Sequence, residues 1–295
     1  MRRTFSALAA MSAALAAVPA SAEVVEIAPS SPWNVDFADE KCRLARLFGE
    51  GENRHLVFIE QYWPSSEFGL TAAGPAFERF RSRQPAELGF YDGERQRTEP
   101  FTGTVEGFGS AVIYSSAALP TAEAAAEADG GEEDDDGATT RFAQLDTAQA
   151  ARARYLSLKQ RGDEIRLQTG PLEEAFAVLN QCTAGLLAEW GLDFEEQRRA
   201  SRMPQWTNMD GVARRIQDAY PARARNRGEQ GLMRMRVIVS PEGTVESCAI
   251  IKETETERLE SPACGAMQNA RFTPALDAAG QPMRSYYVTR ITYRM

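Results

Sequence analysis

Between residues 33 and 114 the chain alternates short apolar runs with clusters of glycine and proline. The runs cover residues 55–62, 67–70, 87–90 and 110–114, and they are preceded by residues 42–48, where arginines alternate with apolar or small residues. Short runs of this kind, separated by frequent turn residues, are typical of antiparallel strands. The pattern predicts an antiparallel β-rich domain over residues 32–192.

One segment of this domain has the periodicity of a helix instead. Pro171 suits the first turn of a helix, and Gly191 suits its end. Between them, a set of large apolar residues falls on one helical face: Leu172, Phe176, Leu179, Leu186, Leu187 and Trp190. The sequence therefore predicts one long helix, and we expect its apolar face to lie in the core.

Residues 121–139 interrupt the apolar pattern. They carry eight acidic and no basic side chains, and they include no large apolar residue. A segment with nothing to bury is predicted to be a disordered, solvated insertion. Cation binding is the alternative, but Glu132 to Asp136 lacks the ligand spacing of a calcium loop.

Past a polar linker at residues 193–208, the pattern changes to that of a small mixed module over residues 209–295. Residues 214–220 suit a helix, 232–239 and 244–252 suit two strands, 257–270 suit a helix, and 285–294 suit a last strand. Ser240 to Gly243 forms the turn between the first two strands. The sequence predicts an α+β protein whose second domain has the order αββαβ and a small antiparallel sheet.

The first 22 residues have the three-part layout of a secretory signal peptide. Two arginines precede an apolar stretch over residues 4–18, and Pro19 to Ala22 ends in an A-x-A pattern. An uncleaved anchor is the alternative, but the stretch is shorter than the roughly 20 residues of a membrane helix. We expect the mature protein to begin near Glu23, with no membrane span after signal cleavage.

Export changes the interpretation of the four cysteines, because an even number in an oxidising compartment indicates disulfides. Four cysteines allow three pairings, and the simplest places one bridge in each domain: Cys42–Cys182 and Cys248–Cys264. Metal binding is the alternative, and it lacks both CxxC spacing and a nearby histidine.

The charge excludes one class of partner. The 295 residues carry 33 basic and 42 acidic side chains, for a net charge of −9. Nonspecific nucleic-acid binding needs clustered positive charge, so we expect no nucleic-acid partner. The C-terminal module is nevertheless mildly basic, with 13 basic and 10 acidic residues from Met209 onward.

The sequence contains little that indicates catalysis. The single histidine, His55, opens an apolar strand, where a surface or strand-end position is expected more often than a general base. No G-x-S-x-G, H-E-x-x-H or phosphate loop is present, so we expect no catalytic, metal or cofactor site. The alternative is a periplasmic hydrolase whose N-terminal domain holds a pocket with two carboxylates or an activated serine.

The C-terminal module resembles the C-terminal domain of the TonB family. The resemblance rests on the order and spacing of short motifs in residues 209–295. In chain order these are Tyr220-Pro221, Gly231, the Pro-Glu-Gly-Thr-Val segment that contains Gly243, the Arg-Phe-Thr-Pro-Ala segment that contains Phe272 and Pro274, and Gly280-Gln281-Pro282. It implies a periplasmic domain that binds an extended peptide of an outer-membrane or envelope protein by β-augmentation. The N-terminal domain resembles no family that we recognise.

On this sequence the resemblance implies that the binding strand is the last one, from Ser285 to Arg294. Its candidate pairing residues are Tyr287, Val288, Thr289, Arg290, Ile291 and Thr292. Alternatively, this strand only completes the sheet or pairs with a second copy as a homodimer. The long Pro-rich spacer and the uncleaved membrane helix of the energy-transducing proteins have no counterpart in the pattern, so the resemblance implies no proton-motive-force transduction by this chain alone.

Overall fold

The computed structural model describes residues 24–38, 40–82, 84–93, 95–119, 141–219, 231–252 and 262–293. The signal-like segment, the acidic insertion 121–139 and the Tyr220-Pro221 pair lie outside the described residues.

The described part of the N-terminal domain contains eleven strands: β1 (Val24–Ile27), β2 (Asn34–Ala38), β3 (Lys41–Phe48), β4 (His55–Gln61), β5 (Glu67–Ala73), β6 (Ala86–Gly89), β7 (Gln96–Thr98), β8 (Phe101–Val105), β9 (Gly109–Ala118), β10 (Leu156–Gln160) and β11 (Asp163–Leu167). They form a six-stranded sheet in the order β2-β3-β4-β5-β9-β8 and a five-stranded sheet in the order β1-β11-β10-β6-β7. All pairings are antiparallel except β1 with β11.

The β10–β11 hairpin shows how local sequence sets this architecture. Its two turn residues, Arg161 and Gly162, both have positive φ, at 56° and 96°. Two such residues match the right-handed twist of the strands they join, so Gln160 and Asp163 pair directly across the turn.

The described part of this domain also contains two α-helices, α1 (Thr147–Ala150) between β9 and β10 and the long α2 (Glu173–Glu189) after β11. The predicted apolar face is buried except for the half-buried Trp190, with Phe176 and Leu179 in a core that both sheets share. The predicted disulfide between Cys42 of β3 and Cys182 of α2 is present, which ties the helix to the six-stranded sheet.

The remaining elements are α3 (Phe194–Arg198), β12 (Gln205–Trp206), α4 (Met209–Asp218), β13 (Gly231–Val239), β14 (Val245–Lys252), α5 (Ala263–Met267), β15 (Phe272–Thr273), β16 (Ala275–Leu276), β17 (Pro282–Met283) and β18 (Ser285–Tyr293). Strands β14-β13-β18 form an antiparallel sheet, and α4, β13, β14, α5 and β18 follow the predicted αββαβ order. The predicted α+β fold class is confirmed. The segment treated as a linker contains α3 and β12, and β12 pairs with β15.

The C-terminal sheet is covered on both faces. On one face, Met233, Met235 and Val237 of β13 pack against residues of α4 and α5. The second predicted disulfide, Cys248–Cys264, joins β14 to α5 on this side. On the other face, Ile238 of β13 and Tyr286 of β18 share a cluster with residues of the N-terminal domain. The two domains are therefore in direct contact through this sheet.

Candidate functional site

The predicted binding strand lies at the edge of its sheet. Among the described strands, β18 (Ser285–Tyr293) pairs with β13 alone. In an antiparallel pair, alternate residues direct their backbone N–H and C=O groups away from the partner strand. The outer side of β18 is therefore the side on which another strand could add.

The candidate pairing residues differ in their exposure along the strand. Tyr287 and Val288 are buried, whereas Thr289, Arg290 and Ile291 are half-buried. The side chain of Thr292 lies outside the described residues. Access to the strand is consequently greater in its second half than in its first.

Side chains of β18 alternate between two chemically different faces of the sheet. We call one side the methionine face, and it includes Met233, Met235, Val237, Tyr287, Thr289 and Ile291. We call the other side the arginine face, and it consists of Arg234, Arg236, Ile238, Tyr286, Val288 and Arg290. The first packs within the C-terminal module, and the second meets the N-terminal domain.

Three of the family motif residues come together beside the β13–β14 turn. Gly243 has φ +78°, and a Cβ added there would lie 2.0 Å from the carbonyl oxygen of Phe272. The Phe272 N–H donates to the Gly243 carbonyl at 2.9 Å, and Pro274 lies next to the same glycine. Only glycine allows both the backbone conformation and this close approach.

Phe272 also connects this turn to the edge strand. Its ring lies 5.2 Å from that of Tyr287 and stacks on Trp206 at 5.9 Å. The motif thus supports β18 from the methionine face. Gly231, another motif residue, begins β13, and Tyr220 and Pro221 lie outside the described residues.

The arginine face was not expected from the sequence, and it carries two like charges in adjacent strands. Arg234 of β13 is directly opposite Arg290 of β18. Like charges at such positions repel each other, so both need compensating partners. The N-terminal domain supplies them.

Arg234 inserts into the N-terminal domain. Its guanidinium donates to the Ser115 carbonyl at 2.8 Å and lies 4.6 Å from the ring centre of Tyr62 and 4.9 Å from that of Trp63. Burial, with a smaller contribution from the charge of Arg290, lowers the pKa of Arg234 to about 10. The side chain therefore remains charged at neutral pH although the residue is only 3% exposed.

The other two arginines of this face have acidic partners. Arg290 pairs with Glu67 of β5 at 2.9 Å, and Ser116 donates a hydrogen bond to the same carboxylate. Arg236 pairs with Glu40 at 3.2 Å, and its guanidinium lies 4.3 Å from the ring centre of Trp190.

A small cavity at the domain boundary tests the hydrolase alternative. Its lining includes the carboxylates of Glu60 and Glu67, and it has room for about one water molecule. Glu60 is held by Lys41 at 2.9 Å and Arg43 at 2.6 Å. Burial opposes ionisation of Glu60, but these two cations outweigh it and lower its pKa. Both carboxylates are thus bound to cations, which favours a structural role for them.

His55 is fully buried, so the expectation of a surface or strand-end histidine is wrong in respect of exposure. Its Nδ1 lies 2.8 Å from the Asn53 carbonyl, and its Nε2 accepts from the Ala76 N–H at 3.1 Å. Burial lowers the pKa of His55, which keeps the ring neutral. Both nitrogens bind backbone groups, an arrangement that holds two loops together.

Comparison with known proteins identifies the C-terminal module alone. Residues 216–295 match the family described as the Gram-negative bacterial TonB protein C-terminal, which confirms the resemblance in this region. A stretch of 54 residues is 43% identical to Protein TonB of Neisseria gonorrhoeae and covers 18% of this chain. The chain spans about a fifth of the length of that relative, since the match covers 19% of it. No helix among the described residues is long and apolar enough to cross a membrane.

Proposed function

We propose that this protein binds an extended segment of an envelope protein, which adds as a further strand to the outer side of β18. The observation that carries the proposal is that β18 stands at the edge of the sheet in the part of the chain that matches the TonB family. Domains of that family are protein-interaction domains. In β-augmentation the backbone provides affinity and alternate side chains provide selectivity.

Within β18, we place the start of the added strand at Thr289. The preceding residues are held by other parts of the chain: Ser285 donates to the Gln197 side chain at 2.6 Å, and the Tyr286 ring lies 5.6 Å from that of Trp190. Thr289 to Ile291 are more accessible. This difference favours recognition through the C-terminal half of the strand.

The proposed location is the periplasm. Both disulfides support it, because such bonds persist in oxidising compartments, and the family match supports a place in the cell envelope. The proposal is limited to recognition and includes no transduction of proton-motive force, since the match covers the binding module alone.

Site-specific photo-crosslinking of the full chain in a Gram-negative envelope tests the proposal. A photoreactive residue at Thr289 should crosslink to an envelope protein, and mass spectrometry should map the contact to an extended segment. Ser247 is the matched control, because it is exposed on β14, the opposite edge of the same sheet. Equal crosslinking from both positions, or none from Thr289, would contradict the proposal. A crosslink from Thr289 to a second copy of the chain would favour the homodimer instead.

A proline substitution then tests whether backbone pairing is involved. Ile291→Pro should abolish the Thr289 crosslink, because proline has no N–H to donate and distorts the strand. Ile250→Pro is the control, since Ile250 lies on the other edge strand and packs on the same core. If both variants remain folded and crosslink as well as the unmodified chain, strand addition to β18 is wrong.

A further inference from the structure

We propose that the N-terminal domain is an intramolecular docking partner of the C-terminal sheet, and that Arg234 is the positioning residue that locks the two together. The Arg234 socket consists of Tyr62, Trp63, Gly69 and Ser115. The docking itself is independent of the proposed function. Its consequence, that Arg234 positions β18 for recognition, rests on that function.

The socket is formed by a β-bulge in the six-stranded sheet. Phe68 pairs with Ala117 and Leu70 with Tyr114, so two residues of β9 lie opposite the single residue between them on β5. A bulge interrupts the ladder and redirects backbone groups. The carbonyl of Ser115, one of the two β9 residues opposite Gly69, accepts the hydrogen bond from Arg234.

Gly69, the residue opposite the bulge, leaves the space that the guanidinium occupies. A Cβ added to Gly69 would lie 3.8 Å from an Arg234 guanidinium nitrogen and 3.7 Å from the Glu60 carbonyl oxygen. Alanine would therefore fit, but a branched side chain would meet Arg234. The absence of a branched side chain at this position permits the insertion.

The walls of the socket suit arginine in particular. A guanidinium is weakly hydrated and stacks on aromatic rings, and a cation–π contact is stronger when it is shielded from water. Tyr62 and Trp63 provide two such contacts. These contacts act together with the hydrogen bond to Ser115 to offset the cost of burying the charge.

Further contacts fix the orientation of the sheet as well as its position. At one end, Glu67 next to the bulge pairs with Arg290 and so compensates the charge opposite Arg234. At the other end, Arg284 donates to the Gly191 carbonyl at 2.8 Å, and the Gln197 side chain donates to the Arg284 carbonyl at 2.9 Å. Contacts at both ends of β18 leave the sheet little freedom to rotate on the N-terminal domain.

Substitutions on the two sides of the socket test the docking in the full chain. Arg234→Met removes the charge and keeps an apolar stem, whereas Gly69→Val fills the socket from the N-terminal side. Arg97→Met and Gly103→Val are the controls, since Arg97 is exposed on β7 and a Cβ at Gly103 meets only the flexible end of the Ile113 side chain.

The readout is the rotational correlation time of each domain from NMR relaxation, in spectra that also report whether each domain is folded. The unmodified chain and both controls should show one shared correlation time. Arg234→Met and Gly69→Val should give the C-terminal module a correlation time shorter by about a third or more, because a domain released on a linker tumbles partly independently. A shared correlation time in both socket variants would overturn the locking role of Arg234, and separate correlation times in the unmodified chain would overturn the docking.

The yield of the Thr289 crosslink, measured in the same four variants, tests the consequence for recognition. We expect it to fall several-fold in the two socket variants and to stay unchanged in the two controls. Uncoupled domains with an unchanged yield would overturn the positioning role of Arg234. A third outcome is possible: the socket variants uncouple the domains, but the unmodified chain gives no Thr289 crosslink. In that case the docking holds and the proposed function fails.

Discussion

At the centre of β13, the two faces of the C-terminal sheet are buried to almost the same degree but by opposite chemistry. Met233 and Met235 are each 1% exposed on the methionine face, and Arg234 between them is 3% exposed on the arginine face. The first face is covered by helices of its own module, and the second by another domain. Nearly equal burial thus results from a local core in one case and from an interface between domains in the other.

The two faces differ in how precisely their partners must be positioned. Apolar side chains gain free energy by leaving water wherever they pack, so the methionine face needs no exact partner. A buried arginine is stabilised only when aromatic rings, carbonyls and carboxylates are already positioned for it. The arginine face therefore specifies one docking geometry.

The largest effect should come from the methionine face. Met235→Ala should lower the free energy of unfolding of the C-terminal module by about 2–5 kcal/mol, because it leaves a cavity in a closed core. Urea denaturation monitored by NMR signals of the module measures this loss. Met209→Ala is the control: Met209 is half-buried at the start of α4, so its loss should be markedly smaller. Equal losses would indicate that this core is not closed.

A smaller effect is expected on the arginine face. Arg236→Ala should cost about 1–2 kcal/mol, mainly through the lost contact with Trp190, because Glu40 is about half exposed and its ion pair is screened by water. Urea denaturation at low and high salt separates the two contributions. Glu40→Gln is the control, and it should cost less than 1 kcal/mol. A cost of Glu40→Gln equal to that of Arg236→Ala would assign the energy to the ion pair instead.

Acid should destabilise the N-terminal domain gradually. His55 is the only histidine of the chain and lies in the N-terminal domain with a lowered pKa. Protons therefore bind the unfolded state more readily, and the stability of the N-terminal domain should fall as the pH drops below about 6.5. One such group changes the free energy of unfolding by at most about 1.4 kcal/mol per pH unit.

Urea denaturation at pH 7.5, 6.5 and 5.5 checks the acid effect. His55→Gln keeps a polar side chain without the titration, so its pH dependence over this range should be weaker. The urea midpoint measured from NMR signals of the methionine face should change little with pH, because the C-terminal module has no histidine. A pH dependence that persists in His55→Gln would exclude His55 as its source.

The elements that the sequence predicted well are those determined by local pattern. The alternating residues of β13, the turn at Gly243 and the last strand are each visible in a short stretch of sequence, and their order also carries the family resemblance. The two disulfides followed from counting cysteines per domain. Each of these inferences needed little knowledge of the tertiary structure.

The docked interface could not be predicted in the same way. Arg234 and Arg236 alternate with apolar residues, which is the usual pattern of a strand with one face in water. Ser115, which accepts from Arg234, lies 119 residues away in sequence. One signal was available: Tyr286 and Val288 place apolar side chains on the supposedly solvated face, which indicates a covering partner.

His55 shows the same limit within the N-terminal domain. A histidine at the start of an apolar strand suggests exposure, because strands often begin at the surface. Here the carbonyl of Asn53 and the N–H of Ala76 occupy both ring nitrogens, and the second of these comes from a distant turn. Sequence pattern does not report that such backbone groups converge.

The disulfide between Cys42 and Cys182 has a topological consequence. With a sequence separation of 140, it closes residues 42–182 into a covalent ring that includes the acidic segment 121–139. A single backbone cut anywhere in that ring opens it without dividing the molecule. A protease that nicks the acidic segment therefore leaves the two halves of the N-terminal domain joined, and they separate on a denaturing gel only after reduction.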